Sequence, residues 1–180
     1  MSKIVALPFV SLDGVMDSPT WTGPYFNADH ARYAHGQLFA ADALLLGRVT
    51  YEGMAAAWPR MEESEGGFAV RMNTIPKHVV SATLAEAEWN ATVLRGDLAT
   101  EVTKLKDQGD LLVYGSGDLV CSLIALGLID ELKLWVHPVV VGQGKRLFGD
   151  GGPASSWTLA GTTTFSTGAV VLDLRPNGRE

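Results

Sequence analysis

One cysteine in 180 residues, Cys121, excludes an internal disulfide and suits a reducing compartment. Metal-ligand patterns are missing as well. The four histidines, His30, His35, His78 and His137, pair with no cysteines at zinc-finger spacing and form no His-Glu-x-x-His pair, so no metal is expected. Charged residues are only 19% of the chain, and a net charge of −6 leaves no surplus of Lys and Arg for nucleic-acid phosphates. Long apolar runs are absent: Ile4–Val10 is far too short to cross a bilayer, and the start Met-Ser-Lys-Ile-Val is no signal peptide. These absences predict a soluble cytoplasmic protein without nucleic-acid or membrane partners. No histidine has a recognisable Ser or Cys partner, so a hydrolytic triad is not expected either.

Core material is abundant: 47% of residues are apolar, enough for one compact domain over residues 1–180. Ile4–Val10, interrupted only by Pro8, reads as a buried strand, and Ala43–Leu46 and Leu111–Tyr114 as two more. Lys77–Ser81 and Ala91–Leu94 add shorter ones. Asn27 caps a predicted helix running to about Ala40, and Asp97 caps another through Asp107. Arg48–Ala57 reads as a helix stopped by Trp58-Pro59, and Asp118–Leu126 as an apolar helix closed by Gly127. A short helix is expected around Phe68–Asn73, a polar loop over Glu62–Gly67 and a strand over Leu132–Val141. Trp157–Phe165 and Ala169–Arg175 around Ser166-Thr167-Gly168 read as a hairpin. Strands alternating with helices, then a hairpin, give an α/β fold: a mixed, mostly parallel sheet with an antiparallel C-terminal edge.

Two strand-to-helix junctions carry the chemistry. In Val113-Tyr114-Gly115-Ser116-Gly117 the glycines allow a sharp turn and close approach of a ligand, and the helix that follows offers N–H groups to a pyrophosphate. Read alone, the same residues are equally a turn with Ser116 or Asp118 as a cap. They do not form the dinucleotide fingerprint, because the third glycine would fall on Val120. In Leu46-Gly47-Arg48-Val49-Thr50-Tyr51-Glu52, Arg48 is a cation in a first helical turn, where the dipole disfavours it unless an anion is bound. Thr50 offers its hydroxyl to the same ligand. Val80-Ser81-Ala82-Thr83 adds hydroxyls at a third strand end. Ligands of open α/β sheets lie at the carboxyl ends of strands, so these three ends suit one extended, doubly charged ligand.

Ser11-Leu12-Asp13-Gly14, Leu46-Gly47-Arg48-Val49-Thr50-Tyr51-Glu52, Val79-Val80-Ser81, Val113-Tyr114-Gly115-Ser116-Gly117, Gly127-Leu128-Ile129-Asp130-Glu131 and Pro138-Val139-Val140-Val141-Gly142-Gln143-Gly144 follow one another in an order that resembles the dihydrofolate reductase superfamily. The resemblance is to stand-alone relatives of the reductase domain of the riboflavin-biosynthesis deaminase-reductase. It implies a dihydrofolate-reductase-like three-layer fold, a homodimer and an NADPH-dependent oxidoreductase. Its hydride acceptor would be a small pterin-like, pyrimidine-like or carbonyl substrate. Carried onto this chain, Gly47, Arg48 and Thr50 would meet phosphates and Ser81 the adenosine 2′-phosphate. Gly115, Ser116, Gly117, Asp118 and Leu119 would hold the pyrophosphate and the nicotinamide side. The loop Asp13–Trp21 would cover the nicotinamide, with Asp13, Trp21, Tyr51 and Trp58 toward the substrate.

The resemblance designates no catalytic acid; Asp13 and Asp29 are the candidates. Two departures bear on the substrate. Thr74-Ile75-Pro76-Lys77 stands where folate reductases place an arginine for the glutamate tail, and the zinc ligands of the deaminase half do not occur in this chain. Two other readings of the residues are a nucleotide-binding module without turnover and an interaction protein keeping only the fold.

Overall fold

A computed structural model of the chain describes residues 1–178. The first apolar run is split by Pro8, which has no N–H to donate, into β1 (Ile4–Leu7) and β2 (Phe9–Val10). Two further buried runs form β3 (Ala43–Gly47) and β6 (Leu111–Tyr114), and β4 (Lys77–Val80) and β5 (Ala91–Leu94) extend the sheet outward. β7 (Glu131–Val136), β8 (Trp157–Thr164) and β9 (Val170–Pro176) complete it. The strand order is β5-β4-β3-β6-β1-β7-β9-β8, with β2 beside β7. Pairings from β5 to β7 are parallel, and those of β9 with β7 and β8 antiparallel. The expected mixed sheet with its antiparallel hairpin is present.

Alternation along the central strands divides the core in two. Val5, Leu7, Leu44, Leu46, Leu112 and Tyr114 face α1 (Ala28–Ala40), α2 (Arg48–Ala57) and α4 (Gly67–Thr74). Ile4, Ala6, Leu45, Leu111 and Val113 face α5 (Leu98–Lys106) and α6 (Gly117–Ala125). Asn27 and Asp97 cap α1 and α5 as expected, accepting from His30 N and Thr100 N at 3.0 Å each.

Two expectations are corrected. Glu62–Glu65, read as loop, forms a one-turn helix, α3, because glutamate favours helix and the turn leads straight into α4. The strand expected over Leu132–Val141 ends at Val136, where its pairing with β9 ends at Val170. Beyond it the Val141 and Gly142 N–H groups donate to the Asp13 carboxylate instead of a ladder.

Candidate functional site

β3 and β6 are parallel neighbours, yet the helices leaving their carboxyl ends go to opposite faces of the sheet. α2 packs with the α1 layer and α6 with the α5 layer, the arrangement that in open α/β sheets places a crevice between two strand ends. Both glycine junctions meet there. The Gly47 N–H donates to Ser116 Oγ at 2.9 Å, and the Ser116 N–H donates to Thr50 Oγ1 at 3.0 Å. These reciprocal bonds fix the two helix starts against each other.

Local conformation explains the sequence there. Gly115 and Ser116 both lie in the left-handed region, at φ 49° and 55°. Glycine adopts that conformation freely, whereas serine pays about 1 kcal/mol for it, and the Ser116 bonds to Gly47 and Thr50 hold it in place. A Cβ at Gly115 would come within 3.2 Å of Thr50 Oγ1, and one at Gly117 would collide with the Met16 sulfur. Neither α2 nor α6 has a side-chain cap: Ser116 at the N-cap of α6 spends its hydroxyl on Gly47. The first-turn N–H groups of both helices therefore lack the partner that Asn27 and Asp97 supply elsewhere.

The electrostatics of the crevice are mixed. Arg48 pairs with Glu52 one turn on, at 3.0 Å, which partly explains a cation in the first turn without any ligand. Both side chains are half exposed, so the pair is worth only a few tenths of a kcal/mol and is readily exchanged. Asp118 pairs with Lys145, which offsets its negative charge beside the helix start. At the third strand end Ser81 Oγ accepts from the Thr83 and Leu84 N–H groups, closing a turn.

Asp13 has a different occupation from the one expected. Its carboxylate accepts from the Ser11 hydroxyl at 2.6 Å and from the Val141 and Gly142 N–H groups at 3.0 and 2.8 Å. Ser11 first, then these backbone donors, holds it well below the usual carboxylate range. It staples the loop after β2 to the segment after β7, helped by Arg146 Nε donating to its carbonyl at 2.9 Å. That loop carries Met16 over Gly117, a contact that no local sequence pattern marks.

Asp29 lies on the exposed side of α1, paired with Arg32. Trp21 sits in the 3-10 turn Pro19–Tyr25, its ring 5.4 Å from that of His137. Tyr51 is buried and spends its hydroxyl on the backbone of Glu88, donating to the carbonyl and accepting from the N–H. Trp58 closes the far end of α2, roughly 15 Å from Arg48 at helical rise, and packs on Phe68. The structure therefore brings Gly47, Arg48, Thr50, Gly115, Ser116, Gly117, Asp118 and Met16 together, with the Tyr51 hydroxyl bonded to the Glu88 backbone and Trp58 at the far end of α2.

Several buried polar atoms on the α1 face lack a hydrogen-bond partner: Tyr114 Oη, His30 Nε2, His137 Nε2 and Trp135 Nε1. Both imidazoles are held below their ordinary value, chiefly by burial. No group of three His, Cys, Asp or Glu among the described residues is arranged to hold a metal ion. No helix among them is long and apolar enough to cross a membrane.

A doubly wound sheet with paired helix starts at its switch point and an antiparallel hairpin at its edge is a dihydrofolate-reductase-like fold. The structure of the Enterococcus faecalis dihydrofolate reductase complexed with NADP(H) superposes with a TM-score of 0.68 at 15% identity, over 98% of this chain and 97% of that one. The chain belongs to the family described as the RibD C-terminal domain, which matches residues 2–171. A pyrimidine reductase-like protein from Corynebacterium diphtheriae shares the fold at a TM-score of 0.71 and 14% identity, over 99% of this chain and 93% of that one. The uncharacterized protein YyaP of Bacillus subtilis (strain 168) is 33% identical over 141 residues, 76% of this chain and 75% of its own length.

Proposed function

We propose that the protein is an NADPH-dependent reductase that transfers hydride to a small pterin-like, pyrimidine-like or carbonyl substrate. The observation that carries this reading is the meeting of two uncapped helix starts at the β3–β6 crevice, laced together through Gly47, Thr50 and Ser116. Such starts offer backbone N–H groups and the positive ends of two dipoles to a pyrophosphate. Thr50 packs on Gly115 and Met16 on Gly117, so the glycines let the turn close tightly, and the backbone N–H groups of the two helix starts are what fit the phosphates of a dinucleotide.

In this reading Gly47, Arg48 and Thr50 take one set of phosphates, and Gly115–Leu119 the other with the nicotinamide side. Ser81, whose hydroxyl also lies 3.5 Å from that of Thr83, meets the 2′-phosphate. Asp13 acts through the loop it staples, which with Met16 and Trp21 excludes water from the site. Bound NADPH would supply the hydride; the chain's own residues bind, orient and keep the site dry. Family membership and the reductase-like neighbours support the class of chemistry. We also propose a homodimer, since β8 ends the sheet as an exposed edge that pairing would protect.

Titration with NADPH and NADH, followed by tryptophan quenching, tests the reading. Tight binding with preference for NADPH is expected, and no binding of either at millimolar concentration would defeat it. Binding without turnover of any carbonyl or heterocyclic probe would favour a nucleotide-binding module, a reading that the engagement of Asp13 and Asp29 in other bonds lends some weight.

A further inference from the structure

The described carboxylates put forward as proton donors are spoken for. Asp13 is held ionised by Ser11, Val141 and Gly142, and Asp29 is paired with Arg32 on the outer side of α1. His30 and His137 present Nδ1 to backbone carbonyls, Tyr25 O for one and Val10 O and Trp135 O for the other. A ring whose Nδ1 carries the hydrogen in those contacts leaves Nε2 as an acceptor, which has no proton to give.

Tyr114 differs from all of these. It is the last residue of β6, in register with Leu7 of β1, and the next residue begins the glycine turn. Its side chain belongs to the core layer between the sheet and α1 and α2. The residue is 8% exposed, and its hydroxyl is buried without any partner. Tyr51, in the same layer, is equally buried but makes two hydrogen bonds through its hydroxyl. A buried hydroxyl left unpaired costs roughly 1–3 kcal/mol, and phenylalanine would avoid that cost at nearly the same volume. A phenol one residue from the proposed nicotinamide cradle therefore points to a ligand partner.

We propose that Tyr114 is a catalytic residue: its phenol donates a hydrogen bond to the heteroatom of the bond being reduced and gives that atom its proton. This rests on the reductase reading above. The electrophilic carbon of the C=N or C=O bond gains hydride from the reduced nicotinamide, the π pair moves onto nitrogen or oxygen, and that atom takes the phenolic proton. Water then restores the proton to the phenolate. Burial raises the phenol above its ordinary pKa, so it stays protonated across the neutral range until the heteroatom gains charge. The hydroxyl is enclosed in the core layer, so a substrate reaches it by displacing side chains packed over β6.

Tyr114→Phe separates this role from a structural one. Melting temperature, NADPH affinity by tryptophan quenching, and NADPH oxidation with 9,10-phenanthrenequinone are measured together. Affinity of the NADPH-bound protein for 5,6-diaminouracil, whose carbonyls accept hydrogen bonds, is a fourth readout. The variant is expected to melt at the wild-type temperature or above it, because an unpaired hydroxyl is removed. NADPH affinity should stay within about twofold, 5,6-diaminouracil should bind about tenfold more weakly, and kcat should fall about 100-fold or more, with the solvent isotope effect on kcat altered. Unchanged kcat, or a lowered melting temperature with all activities falling together, would overturn the proposal. Wild-type protein that binds NADPH but reduces no quinone and binds no diaminouracil would also overturn it while leaving the nucleotide site standing. Protein that binds no nucleotide would overturn both.

Discussion

Four helices of this chain start in two ways. α1 and α5 begin with a side-chain acceptor, Asn27 or Asp97, that satisfies a first-turn N–H. α2 and α6 begin at or beside strand ends with no side-chain cap, and the hydroxyls at hand, those of Ser116 and Thr50, accept from Gly47 and Ser116 instead. A cap contributes about 1 kcal/mol to a helix and closes it to other anions. Its absence at two adjoining starts, bound to each other by hydrogen bonds, leaves stability unused where a ligand can supply it. Capped starts thus serve the fold; α3 and α4 are uncapped too, and what sets α2 and α6 apart is that their open starts meet at neighbouring strand ends.

Breaking the open pair should have the largest effect. Gly115→Val puts a β-branched residue in the left-handed region and a Cβ against Thr50, so a loss of about 2–3 kcal/mol in urea unfolding is expected. NADPH affinity should fall more than tenfold in the fraction that folds, read by fluorescence titration. Arg48→Ala removes only a half-exposed pair with Glu52 and should leave the melting temperature almost unchanged. It should weaken NADPH about tenfold, the loss of one charge-assisted contact, and NADH less.

The smallest effect sharpens the contrast from the capped side. The Thr100 N–H, and then its hydroxyl, hold the Asp97 carboxyl below its usual range. A carboxyl lowered in the folded state lends stability above its unfolded pKa, near 3.8, and loses it as pH falls through the folded value. Acidification below pH 4 should therefore speed hydrogen exchange at Thr100 relative to the open starts of α2 and α6. Asp97→Asn, which keeps an acceptor without the titration, should abolish that extra acid sensitivity, and nucleotide affinity at neutral pH should be the same in both proteins.

Legibility followed the range of the determining interactions. Asn27 and Asp97 were readable as caps because a cap acts within three residues, and the buried strands because their runs are contiguous. The Gly47 and Gly115 junctions were readable as strand-to-helix turns because glycine and a helix start adjoin in sequence. Tyr51 and Trp58 are placed toward a substrate only by the family resemblance, and what the fold adds is that the Tyr51 hydroxyl bonds the Glu88 backbone and Trp58 stands at the far end of α2. Val139–Val141 read as strand because it is apolar, but a strand needs a neighbour, and here the Val139 N–H turns back to His137 while those of Val141 and Gly142 go to Asp13 from across the chain.

The sequence by itself determined the layers, the capped helices and the two glycine turns, since each depends on propensity, periodicity or a local bond. Only the tertiary structure decided that Ser116 spends its hydroxyl on Gly47, that Asp13 is a staple, that Met16 stands over Gly117, and that the Tyr114 hydroxyl has no partner. Those outcomes join residues tens of positions apart, and whether a polar group is paired or orphaned depends on every element packed around it.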